Sequence, residues 1–145
     1  MECWSTGVLE ASSRFQDYGV CLWNPEIAPQ QRLEQRWFAG AHCDVGGGYP
    51  DRRLSDMTLR WMQDKASGLG LALDAVPVGE KNYLGVATDS YAKFLGGLYA
   101  RKNPRHYRVI GATKFGKEIV DDSVERRRKA DREYEPQNDG LPKLN

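Results

Sequence analysis

The chain has no excess of charge of either sign: 21 Lys and Arg stand against 20 Asp and Glu, a net +1. Nucleic acid and anionic membrane surfaces therefore have no long-range electrostatic claim as partners. Long apolar runs are also missing. No window approaches the ~18 consecutive apolar residues of a membrane-spanning helix, so no transmembrane segment is expected. The opening Met1-Glu2-Cys3-Trp4-Ser5 lacks the basic segment and apolar stretch of a signal peptide. Cysteine is sparse and odd in number; Cys3, Cys21 and Cys43 form no C-x-x-C pair and have no metal-type spacing. A reduced, cytoplasmic setting follows, and any route out of the cell needs a different, non-classical kind of signal. No cofactor and no metal is expected.

What is present suits one ordinary globular domain. The 145 residues are 40% hydrophobic and 28% charged, and a domain of this length buries roughly two thirds of its unfolded surface. Residues 1–14 show no sustained period, although Gly7-Val8-Leu9-Glu10 reads as a strand end or a helix tail. Tyr18-Gly19-Val20-Cys21-Leu22-Trp23 reads as a buried strand closed by Asn24-Pro25, and residues 24–31 as a loop. Leu33 to Ala39 is the second strand, with Trp37 and Phe38 facing opposite sides of a sheet covered on both faces.

The centre of interest follows that strand. Residues 40–49 form a glycine-rich loop holding His42, Asp44 and Gly46-Gly47-Gly48. In open α/β sheets, chemistry collects beyond the carboxyl ends of the strands. An imidazole there can act as general base, because its ordinary pKa of ~6.5 leaves both protonation states accessible. On an extended chain Asp44 lies on the same side as His42, where it either orients the imidazole or shapes the loop, while Cys43 points away. The glycines can adopt positive φ and bring backbone N–H groups close to an oxyanion or phosphate, or simply make a sharp turn. A metal site of His42, Asp44 and Asp51 is a weaker reading, since it lacks a second nearby histidine and His106 lies far along the chain.

Leu54-Ser55-Asp56 offers a helix start, followed by Met57, Leu59, Trp61, Met62 and Ala66 at helical spacing until Gly68 and Gly70. Residues 71–86 are irregular. Asp89 or Ser90 caps a further helix, with an apolar stripe of Tyr91, Phe94, Leu95, Leu98 and Tyr99 that suits a core, or a lipid-facing surface, and it ends near Asn103-Pro104. Tyr107 to Ile110 is a candidate strand. Ile119-Val120 leads to Asp121-Asp122-Ser123 at the start of a helix, whose Arg126-Arg127-Arg128-Lys129 run reads as a solvated face among acidic neighbours. Residues 1–135 form the domain and 136–145 an extended tail.

The run Trp37-Phe38-Ala39-Gly40-Ala41-His42-Cys43-Asp44-Val45-Gly46-Gly47-Gly48-Tyr49 is the specific signal. With Leu54-Ser55-Asp56-Met57 and Leu59-Arg60-Trp61-Met62 after it, it resembles the C-terminal part of an uncharacterised α/β-hydrolase domain family that includes the class 1 type VI secretion lipase effectors of bacteria. Residues 10–23, Asp89-Ser90-Tyr91, Ser123-Val124, Arg127, Tyr134, Pro136 and Asn138 are similar too. The resemblance implies an α/β fold, the C-terminal portion of an α/β-hydrolase with two or three strands, covering helices and an incomplete sheet.

It further implies an esterase or phospholipase mechanism with a Ser-His-Asp triad, in which His42 corresponds to the histidine and a lipid or ester is the substrate. Glu10 aligns loosely with an acidic family position, and Asp44 is the other candidate acid. Cys43 replaces a usual serine, and Asp121-Asp122 stands where the family often carries a histidine. The nucleophile itself is missing: Ser5, Ser12, Ser13, Ser55, Ser67, Ser90 and Ser123 all lie outside any G-x-S-x-G elbow. The chain is thus expected to be inactive alone. The alternative is a non-enzymatic remnant or interaction module, whose exposed edge strand near Val20 to Trp23 pairs with another copy or a partner chain.

Overall fold

The strand that carries the motif is the middle of a three-stranded parallel sheet. The structure, a computed structural model, describes residues 2–8, 32–105, 107–111 and 117–144. Strand β1 (Glu2–Val8) pairs with β2 (Arg32–Phe38) from Glu2↔Arg32 to Val8↔Phe38. Helix α1 (His42–Gly46) is one short turn, and α2 (Arg53–Gly68) runs 16 residues. After a 3₁₀ turn at Asn82–Leu84 come α3 (Ser90–Lys93), a 3₁₀ piece at Phe94–Gly97 and α4 (Leu98–Lys102). Strand β3 (Lys117–Val120) pairs with β2 from Glu34↔Lys117 to Trp37↔Val120, and α5 (Asp122–Ala130) follows at once. The chain is therefore mixed α/β around a small parallel sheet.

The two-sided burial expected of Trp37 and Phe38 holds. Alternation along β2 puts Trp37 on one face, where it packs with Ala39, Ile110 and Val124, and Phe38 on the other with Val45 and Trp61. Helix α5 covers the first face through Val124, which is 1% exposed. Helix α2 covers the second through Trp61, whose ring centroid lies 6.0 Å from that of Phe38. Beside Phe38, the polar residues of β2 form a chain of charge: Arg36 reaches Glu34 at 3.0 Å and Asp121 at 3.1 Å, and Lys65 reaches Glu34 at 2.6 Å. Arg36 and Lys65 also lie over the Trp61 ring. Burial pushes the Glu34 carboxyl up, but the hydrogen bonds and charges of Lys65 and Arg36 outweigh it and hold it below its ordinary range.

Several expectations need revision. Residues 2–8 form a strand although they show no alternation, because the parallel ladder with β2 imposes it. The proposed strand Tyr18–Trp23 and the loop after it lie outside the described residues, as does Glu10. Tyr107 to Ile110 is not a strand; its Ile110 N–H is instead taken by the Asp139 carbonyl at 2.8 Å. The helix expected from residue 90 to 103 breaks at Leu95 and Gly96, which have φ of 50° and 62°. The break turns Leu95 and Leu98 into solvent and leaves Tyr91 as the one buried member of the stripe.

The basic run on α5 is not uniformly solvated either. Arg127 is 6% exposed and donates to the carbonyls of Tyr83 at 2.8 Å and Gly85 at 2.6 Å, with its guanidinium over the Tyr134 ring. Tyr83 lies within the short 3₁₀ turn and Gly85 just after it, so the arginine ties residues 83–85 to α5. Arg127→Met is expected to leave both carbonyls without this donor and to lower stability by about 2–4 kcal/mol, read from the urea unfolding midpoint.

Candidate functional site

The strand-to-helix connection after β2 places the histidine. Gly40 has φ +112°, and a Cβ there would come within 2.6 Å of the Asp44 Cβ, so only glycine lets the chain turn this tightly. Asp44 is the third helical residue of α1, and its Oδ2 reaches back to accept the Ala41 N–H at 2.9 Å. This is one half of a capping box. The cap makes residues 42–46 helical rather than extended, which corrects the expected alternation: His42 is exposed while Asp44 is 1% exposed. The expected turn of glycines is present, with φ of 88° at Gly47 and 120° at Gly48 after α1 ends.

Asp44 spends its remaining acceptor capacity far along the chain. It takes the Thr88 N–H at 2.7 Å and the Thr88 hydroxyl at 3.1 Å. His42 is not among its partners. Asp51 acts on the same strip of backbone: it accepts the Val86 N–H at 2.9 Å and binds Arg53 with both oxygens, and these bonds, Arg53 first, hold its carboxyl far below the ordinary range. The three groups of the metal reading thus face different partners. Among the described residues, no group of three His, Cys, Asp or Glu side chains could hold a metal ion.

The partner of His42 is Arg108, whose guanidinium nitrogen lies 3.5 Å from the imidazole Nε2. Sequence reasoning missed this residue, since 66 positions separate the two and nothing local marks Arg108. Partial burial and then the Arg108 charge lower the His42 pKa from its ordinary value, both by disfavouring the imidazolium. His42 lines neither of the two neighbouring clefts. One, of about 920 Å³, lies between residues 45–50 and α2; the other, of about 580 Å³, lies between Asp44, residues 49–51 and the 86–94 segment. Among the described residues, no helix is long and apolar enough to cross a membrane.

Known proteins bear on this region. Residues 8–65 match the family model described as the catalytic domain of Tle1-like phospholipase effectors of type VI secretion, as the resemblance of the histidine block implies. The match spans β2, α1 and most of α2, with His42, Asp44 and the glycines inside it. An uncharacterized protein of Saccharomyces cerevisiae is 36% identical over 75 residues, which is 48% of this chain and 11% of that protein. The chain therefore spans about a tenth of that relative's length. No solved structure matches.

Two outcomes test this geometry. Gly40→Ala is expected to cost about 2–4 kcal/mol, from the positive φ and the clash with the Asp44 Cβ, and to cost Asp44→Ala nearly as much, since alanine keeps that Cβ. Thermal melts of the single and double variants measure the difference. The His42 imidazole is expected to titrate below ~6.5, and to rise toward it in Arg108→Ala, as followed by the NMR shifts of its ring protons. Because the unfolded chain takes up this proton at higher pH than the folded one, the His42 contribution to stability is lost as pH falls through ~6.5 toward the folded pKa.

Proposed function

We propose that the chain is the histidine-bearing part of a lipase- or phospholipase-like serine hydrolase, acting on ester bonds in a site completed by residues outside it. The observation that carries the reading is the position of His42: exposed, just past the carboxyl end of the central parallel strand, inside the segment that matches the phospholipase effector family. In this mechanism the imidazole takes the proton from a serine hydroxyl as it attacks the ester carbonyl, then returns it to the leaving alkoxide. A depressed pKa keeps the ring neutral and ready to accept at neutral pH. The serine comes from a G-x-S-x-G elbow elsewhere, since no serine of this sequence stands in one.

Asp44 does not orient the imidazole in this reading. Its oxygens already bind Ala41 and Thr88, so its task is to fix the turn that presents His42. The triad acid then comes from Glu10 or from the completing part. The fold is the C-terminal portion of an α/β-hydrolase, with the two helix-covered faces of β2 supporting it.

The purified 145-residue chain is expected to release no product from p-nitrophenyl butyrate or from a phospholipid. Turnover that vanishes in His42→Ala would show that a nucleophile is present after all. Fused or mixed with a segment carrying a serine elbow of the matching family, the wild-type chain is expected to support hydrolysis and His42→Ala to reduce it by about 10³-fold or more. Equal rates for the two chains would remove His42 from the mechanism.

A further inference from the structure

Most arginines with partly buried heads in this protein face a carboxylate. Arg36 pairs with Glu34 and Asp121, Arg105 with Asp89, and Arg127 with Asp131. Arg108 is different. Its guanidinium is half-buried, enough that desolvation lowers its pKa, yet its one side-chain partner among the described residues is the His42 imidazole, itself a base that can carry positive charge. Among the described residues, no carboxylate neutralises it. Withdrawing a cation from water is costly unless a counter-ion is present, and Arg108 is withdrawn beside the candidate catalytic base with no counter-ion among the described residues.

The backbone around Arg108 is held in place. Its carbonyl accepts from the Asn138 side chain at 2.9 Å, and two residues on, the Ile110 N–H is held by Asp139. Asn138 is 6% exposed. The arginine is thus carried on a clamped segment toward an exposed histidine. At 3.5 Å the contact between the two heads is long for a hydrogen bond, so neither head is committed to the other.

We propose that Arg108 and His42 together form a binding site for an oxyanion of the phosphate class, with Arg108 as the positioning residue that holds a phosphate or phosphate ester against the imidazole. The fork of a guanidinium donates two parallel N–H bonds to two oxygens of such an anion. A tetrahedral phosphate keeps further oxygens for the imidazole N–H, which a carboxylate gripped by the same fork does not. The bound anion supplies a counter-charge that no described residue gives Arg108. This deepens the hydrolase reading by giving the site a ligand chemistry. Its test is binding and not turnover, so either can fail while the other stands.

The test uses the 145-residue chain titrated with inorganic phosphate, with sodium chloride at matched ionic strength as control, and follows the His42 ring protons by NMR. A saturable shift with phosphate and none with chloride is expected. Arg108→Ala should weaken the apparent affinity by roughly tenfold or more, and Arg108→Lys by less, because the lysine keeps the charge but loses the fork. An unchanged spectrum away from the site shows that both variants fold. A His42 shift that is absent, that chloride reproduces, or that persists unchanged in Arg108→Ala would overturn the proposal.

Sedimentation with phosphatidylglycerol vesicles, with and without the Arg108→Ala substitution, distinguishes the source. Co-sedimentation that depends on Arg108 assigns the anion to a lipid headgroup. A saturable phosphate shift without it assigns the anion to a soluble phosphate ester.

Discussion

The buried carboxylate of Asp44 is the interaction on which the site depends. One side chain, 1% exposed, accepts the Ala41 N–H, the Thr88 N–H and the Thr88 hydroxyl, so a short local turn and a segment 44 positions away are fixed by the same group. A buried carboxylate is tolerable only when its oxygens are satisfied, and here two backbone N–H groups and one side-chain hydroxyl do so. The arrangement also explains Gly40, since any side chain there would collide with the aspartate. Asp51 repeats the device by holding Val86. Together the two acids bind alternate residues of the 86–88 strip and give an otherwise irregular stretch a defined path.

The sheet provides the platform for this turn. Strand β2 is central and buried on both faces, and each face is closed by a different helix, α5 over Trp37 and α2 over Phe38. The strand's polar positions are accommodated by one connected charge network, Asp121–Arg36–Glu34–Lys65, laid against Trp61. Such a network is well placed because its members are partly exposed and mutually hydrogen-bonded; one half-neutralised buried pair would be a liability. The strand end is thereby rigid, and the histidine that follows it is presented from a fixed base.

The irregular parts of the chain are organised by backbone capture. Arg127 takes the carbonyls of Tyr83 and Gly85, Asn138 takes that of Arg108, and the Asp139 carbonyl takes the Ile110 N–H. In each case a long-range partner satisfies a backbone polar group of an irregular stretch or a short turn. One of these captures sets Arg108 beside His42, which gives the site its electrostatic character: two nitrogen heads, partial desolvation, and no carboxylate among the described residues.

The sequence by itself determined the elements whose signals are local. The apolar core of β2 with its two-sided Trp37 and Phe38, the periodic face of α2, the acidic start of α5 and the histidine block after β2 are all legible in runs of a few residues, because alternation, helical spacing and capping act over one or two turns. Tertiary structure decided the rest. Whether His42 and Asp44 share a side depended on a cap that turns residues 42–46 helical; whether Arg127 faces water depended on carbonyls 42 and 44 positions away. The partner of the histidine is an arginine 66 positions distant. Desolvation and long-range hydrogen bonds fix these outcomes, and neither leaves a mark in the local pattern of a sequence.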